Sequence, residues 1–365
     1  MRISTRNIAI GFVLALLCGC EKAPVIPPPP APEVPMSLRI PEQGAYTGAY
    51  MDFGDYEDEV TIEKIEDFEK LVGKHQAIIA SSSYWGEQSF PKANLNLIWR
   101  HKSLPLLFWS PWDRPYEEDH GPDKYSLTSI IEGKWDAYID KWGDAAKEFG
   151  QPFFVSFGNE MNGTWFPWSG HWYGENTPVP NSSPVLFQGP ETYKKAYRHV
   201  VDRVRARGAK NILWVFHVMN YSIPQDIWNY ASQYYPGDDY VDWMGLSVYG
   251  QQYIDDRWSP FPPLLQWPYK ELMNISPSKP IMLAEWGCGE YPKSGSKSQF
   301  IQDAFNEMEH NFPQVKAAVF WHERWQNEEE DYSNLRVNSS PESLEAYRQG
   351  VARPYWLDQP ILAPR

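Results

Sequence analysis

Residues 152–165 read PFFVSFGNEMNGTW and residues 280–287 read PIMLAEWG. Each is a short apolar run that ends in a glutamate, Glu160 in the first and Glu285 in the second. A run that is apolar at nearly every position has no wet face. It suits a parallel strand covered on both sides better than a half-exposed antiparallel one. IIAS at 78–81, PLLFW at 105–109 and ILWVF at 212–216 are runs of the same kind. Working outward from them, the predicted strands are Gly44–Met51, Gln76–Ser81, Leu104–Trp109, Pro152–Phe157, Asn211–Phe216, Val241–Val248, Pro280–Ala284 and Lys316–Trp321. Helix-period stretches follow them near Ile62–Gly73, Lys92–His101, Thr128–Phe149, Pro190–Gly208, Pro224–Tyr234, Pro262–Asn274, Lys297–Asn311 and Ser340–Gly350, with Gly150 and Gly208 as C-terminal stops. Eight strand–helix units after residue 43, roughly 40 residues each, indicate α/β architecture as a single (β/α)8 TIM barrel over 44–365. A doubly wound sheet would call for a glycine-rich first turn, and the chain has neither GxGxxG nor GxxxxGK[ST].

In chain order Glu160 ends the fourth strand and Glu285 the seventh, so in a barrel both face one mouth. A carboxylate at the end of a buried run is costly unless it faces a cavity or a partner. Two that converge are what glycosidic-bond hydrolysis needs. One is protonated, to release the leaving oxygen; the other is ionised, to attack the anomeric carbon or activate water. The longest connection, 158–189, follows the fourth strand and is rich in Trp, Pro, Gly and Asn, as an active-site loop would be. The chain has 18 Trp and 22 Tyr, more flat amphipathic rings than a core requires and suited to stacking on sugars. Candidate sugar contacts read from the chain itself are Trp168, Trp85, Trp286 and His217. Glu87, Asp113 and Glu323 also lie near strand ends, without the same buried run, and Glu328–Asp331 reads as a solvated acidic loop.

With 33 basic and 47 acidic residues the net charge is −14, which argues against nucleic acid or an anionic membrane surface as partner. The expected partner is a polysaccharide, for a chain read as a monomer that needs no cofactor. No cysteine pattern suggests a metal site: only Cys18, Cys20 and Cys288 are present. Residues 1–19 read as a signal peptide, with a basic start and an apolar run too short to span a bilayer comfortably. Leu17-Cys18-Gly19-Cys20 resembles a bacterial lipobox with Cys20 as the lipidated residue. Residues 20–43, studded with proline, read as an extended tether. The expected location is therefore the cell envelope, with the lipid as the membrane attachment, in the outer membrane if the host has one.

The stretch Asn159-Glu160-Met161-Asn162-Gly163-Thr164-Trp165-Phe166-Pro167-Trp168 resembles the catalytic signature of glycoside hydrolase family 26, which contains β-mannanases, β-1,3-1,4-glucanases and β-1,3-xylanases. Gly44–Tyr50, Val241–Gly250 and Ala284–Gly287 are similar to the family as well. The resemblance implies a retaining hydrolase with Glu160 as acid/base, Glu285 as nucleophile and Tyr249 bonded to the nucleophile, with Trp165 and Trp321 lining the subsites. The family usually has His before the acid/base glutamate; here it is Asn159. In the wider clan an asparagine there meets the sugar 2-hydroxyl, axial in mannose and equatorial in glucose. The implied activity is that of an endo-acting β-glycanase. β-1,4-Mannan is the first choice (a mannan endo-1,4-β-mannosidase). The alternatives are a β-1,3-1,4-glucanase, an exopolysaccharide hydrolase of the same family, or a non-catalytic polysaccharide-binding lipoprotein.

Overall fold

The eight apolar runs are eight parallel strands in the computed structural model, which describes residues 36–116, 121–328 and 331–364. They are β1 Ala45–Tyr50, β2 Ile78–Tyr84, β3 Leu104–Ser110, β4 Phe153–Phe157, β5 Ile212–Met219, β6 Trp243–Tyr249, β7 Ile281–Gly287 and β8 Val315–Trp321. Each pairs with the next, and β1 closes on β8 from Tyr46↔Ala317 to Tyr50↔Trp321. Every residue of β1, β3, β4, β6 and β7 is buried, so these strands carry apolar side chains on both faces. The barrel interior lies on one side and the helices on the other.

Helix Ile62–Val72 shows how the outer layer is made. Thr61 caps its start by accepting from the Lys64 N–H (3.3 Å), and Gly73 ends it in the left-handed region at φ 73°. Ile65, Phe68 and Val72 recur at helical spacing and turn inward. Gly150, at φ 70°, ends Asp136–Phe149 in the same way.

Three expectations change. The helix read over Thr128–Phe149 is two, Leu127–Ile131 and Asp136–Phe149, because Gly133 at φ 77° interrupts the ladder. Over Pro224–Tyr234 there are only the short turns Ile227–Asn229 and Ala231–Tyr234. There the buried Asn229 side chain donates to the carbonyls of Asn162 and Pro224, binding the segment to the β4 loop instead of to a helix. The third is an antiparallel hairpin, Arg324–Glu328 with Asp331–Asn334, which follows β8 where a loop was expected.

Met36–Leu38, inside the stretch read as tether, pairs antiparallel with Leu362–Pro364. Ordered pairing thus begins ahead of Gly44. The signal-peptide reading of 1–19, Cys20 and the tether up to residue 35 lie outside the described residues, as do Glu329 and Glu330. Among the described residues no helix is long and apolar enough to cross a membrane.

Candidate active site

The chain leaves β4 through Gly158 (φ 56°) and reaches Glu160, itself at φ 54°. A glutamate in the left-handed region is strained, and such strain persists only where the surroundings impose it. Here the Glu160 N–H donates to the His217 carbonyl on β5 (2.9 Å). Asn162 pins the next turn to the end of the same strand, accepting from the Met219 N–H (2.9 Å) and donating to the Met219 carbonyl (3.1 Å). The loop then folds back so that the Trp165 indole N–H donates to Glu160 Oε2 (2.8 Å). Gly163 permits that return, since a Cβ there would lie 2.4 Å from the Trp165 ring.

Glu285 is aimed by a bulge. Between Leu246↔Leu283 and Ser247↔Glu285 strand β7 carries one more residue than β6, and the pairing of β7 with β8 shifts over the same stretch. Bulges re-aim side chains in this way. The Tyr249 hydroxyl, from the end of β6, donates to Glu285 Oε2 at 2.7 Å.

The two carboxylates converge. One oxygen of Glu160, one of Glu285 and a ring nitrogen of His217 all lie within 4.8 Å of one another. Both glutamates are nearly buried, 7% and 8% exposed. Burial raises the pKa of Glu160. Burial together with the charge of Glu160 raises that of Glu285 well above the carboxylate range. Two such groups this close hold one proton between them at neutral pH.

His217 stands behind the pair. Burial pushes its pKa down to about 3, so it is neutral. Its Nδ1 meets Ser156 Oγ (3.1 Å) and its Nε2 meets Ser247 Oγ (2.8 Å), while Ser247 also hydrogen-bonds Glu160. One proton arrangement satisfies the whole chain: Ser156 donates to Nδ1, Nε2–H donates to Ser247, and Ser247 donates to Glu160. Because Ser247 holds the Glu160 pKa down, Ser247→Ala is expected to shift the alkaline limb of the pH–rate profile upward and to lower kcat several-fold. An unmoved limb would show that the serine does not act on the acid.

Above the pair, an inner recess of about 450 Å³ opens into a cleft of about 1650 Å³. Asn159 lines the recess, Trp165 and Tyr249 the cleft, and Trp321 both; Trp321 stacks on Tyr50 at 4.0 Å. Four residues read as sugar contacts are placed elsewhere. Trp85 is fully buried among Trp109, Tyr138 and Phe157. Trp168 is 1% exposed, stacked on Phe166 and donating to the Asn159 carbonyl (2.6 Å). Trp286 points to the helix layer, against Phe261, Phe305 and Tyr347. His217 lies behind Glu160 with both ring nitrogens engaged. The first three pack and the fourth braces the acid; none lines the cleft.

The cleft also holds residues that sequence reasoning missed. Glu57, seven residues beyond β1 at φ 57°, accepts from Ser82 Oγ (2.6 Å) and from the Tyr116 hydroxyl, and burial raises its pKa. The acidic run around it, DYEDE, reads as a solvated turn, so no local signal marks it. Glu323, noted near a strand end, accepts from the Trp321 indole N–H (2.7 Å), and burial beside Glu57 pushes its pKa up to about 8. Asp55, Asp256, Tyr221, Tyr253 and Trp325 complete the outer wall.

Residues 125–267 match the family model described as Glycosyl hydrolase family 26. Endoglucanase H of Acetivibrio thermocellus is 32% identical over 291 residues, covering 79% of this chain and 29% of that protein. A mannan endo-1,4-beta-mannosidase of Bacillus subtilis is 27% identical over 247 residues, covering 67% of this chain and 58% of that protein. The chain thus spans less than two thirds of the length of either relative. A solved Bacillus subtilis mannanase shares the fold, with a TM-score of 0.58 at 18% identity over 88% of each chain.

Proposed function

Because this chain belongs to glycosyl hydrolase family 26, we propose that it is a retaining, endo-acting β-glycanase with β-1,4-mannan as first-choice substrate and β-1,3-1,4-glucan as the alternative. The observation that carries the reading is the approach of Glu160 and Glu285 within 4.8 Å at the floor of an open, aromatic-walled cleft. Retention needs carboxyl groups about 5–5.5 Å apart, whereas inversion needs roughly 6.5–9.5 Å to admit a water between them and the sugar.

The reaction runs in two halves. Glu160 gives its proton to the glycosidic oxygen as Glu285 attacks the anomeric carbon; the C–O bond to the leaving sugar breaks and an ester to Glu285 forms. Esterification removes the charge of Glu285, and with it the repulsion that opposes ionisation of Glu160. Glu160, now a carboxylate steadied by Trp165 and Ser247, takes a proton from water as that water's oxygen attacks the anomeric carbon. Glu285 leaves as a carboxylate, which the Tyr249 hydroxyl receives. Tyr249→Phe is expected to lower kcat about a hundredfold through loss of that charge-assisted bond, with a smaller change in KM. Steady-state kinetics on the preferred polymer measures both.

The lining favours an uncharged polymer. Asp55, Glu57, Glu160, Asp256, Glu285 and Glu323 face the cleft, and no Lys or Arg is among the described residues that line it. Uronic-acid polymers are therefore expected to be cleaved at least about tenfold more slowly than neutral ones at low salt, the gap narrowing as salt is added. Equal rates at low salt would refute this. Sizing the products from mannan and mixed-linkage glucan side by side tests the substrate order. Internal cleavage of mannan supports it, and faster cleavage of the glucan reverses it.

The envelope location belongs to the same proposal. The lipobox-like Leu17–Cys20 and the proline-rich stretch after it support lipidation at Cys20, attachment to the membrane by that lipid alone, and a monomeric enzyme held off the surface. Cys20→Ala is expected to abolish fatty-acid labelling and release the protein from the membrane fraction.

A further inference from the structure

Glu69, His75 and His101 meet at the N-terminal end of the barrel, the end opposite the catalytic mouth. Glu69 lies on helix Ile62–Val72, His75 on the connection to β2, and His101 directly after helix Lys92–Arg100. The carboxylate faces both rings, with Oε1 2.8 Å from His75 Nδ1 and Oε2 2.9 Å from His101 Nε2. One donor atom from each residue lies within 4.8 Å of the others. The group is held from behind as well. The Gln76 N–H donates to Glu69 Oε1 (2.9 Å), and His75 hydrogen-bonds the Lys102 backbone with its Nε2 3.4 Å from Ser103 Oγ. The three side chains are 14–20% exposed, so a dissolved ion can reach them.

We propose that Glu69, His75 and His101 form a binding site for a divalent transition-metal ion of the zinc type. Two imidazoles and one carboxylate are a donor set that suits zinc and disfavours magnesium or calcium, which prefer oxygen ligands throughout. Ligating histidines characteristically have their far nitrogen held by a carbonyl or similar acceptor, and His75 has that support at Lys102. Water completes the coordination from the solvent side. In the metal-free chain, protons on the two facing nitrogens occupy the place of the ion. The site joins two helices and a connecting segment at the base of the barrel, so its effect falls on stability and not on the reaction.

Zinc chloride added to the full chain tests this. At a free concentration about a hundred times its Kd, the metal is expected to raise the melting temperature by about 5 °C over the EDTA-treated protein. The rise should vanish in His75→Gln and His101→Gln, with hydrolysis unchanged in all three. No rise in the wild type overturns the proposal. So does a rise that survives both substitutions, or one accompanied by loss of hydrolysis, which would put the ion at Glu160 and Glu285. Should either variant fail to fold, the wild-type protein titrated with cobalt(II) decides. One equivalent giving the visible bands of a low-coordinate imidazole site supports the proposal, and their absence overturns it.

Discussion

Glu285→Ala is expected to abolish hydrolysis of every polymer the wild type cleaves, a loss of at least about ten-thousandfold, with the fold intact. Without Glu285 no ester forms, and the first half-reaction has no nucleophile. The cavity left at the floor of the recess admits a small anion. With an aryl glycoside, whose leaving group needs little help, azide is expected to restore turnover and give a glycosyl azide of inverted configuration. The stability change follows from the pKa. Burial and the charge of Glu160 raise the Glu285 pKa well above the ordinary carboxylate range. Its folded-state pKa exceeds the unfolded one, so ionising it opposes folding, increasingly as pH rises from the ordinary value toward the raised one. The alanine variant is therefore expected to melt no lower than the wild type at pH 7, with that advantage shrinking as pH falls toward 4. Polymer hydrolysis within tenfold of wild type would sink the assignment.

Glu160→Ala is expected to separate the two halves of the reaction. Polymer cleavage should fall by about 10²–10⁴, because a sugar alkoxide cannot depart without a proton. An activated aryl glycoside needs no such proton, so Glu285 still attacks the anomeric carbon and expels the phenolate at nearly the normal rate. The ester then lingers, since no base remains to activate water. A burst of phenol followed by slow turnover, and a mass increase on the peptide containing Glu285, are the expected readouts. Equal losses on polymer and aryl substrate would remove Glu160 from the acid role.

The barrel was readable because its signal is local and repeated. A strand buried on both faces must be apolar throughout, and each run announces itself without reference to its neighbours. The Arg324–Asn334 hairpin escaped because its strands are polar and charged, and its pairing depends on what lies beside the mouth. The break at Gly133 escaped because the apolar period carries across it from Ile130 to Ile139; only the backbone angle marks the stop.

The tryptophans were the least readable part. Trp286 follows Glu285 directly, and successive residues of a strand point to opposite sides, so if one faces the mouth the other faces the helices. That inference was open to the sequence. No such rule governs Trp85 or Trp168, which sit in turns, and an indole has the same composition whether it stacks on a sugar or on Phe166.

Residue order was enough to specify the eightfold alternation, the two acids and the strand ends that carry them, since each depends on contacts within a few residues of itself. The gap between the acids, their shared proton and the acidic wall at Glu57 and Glu323 came from closure of the barrel. These are properties of distance and burial between segments far apart in the chain, and the β7 bulge that turns Glu285 toward Glu160 exists only against its neighbouring strands.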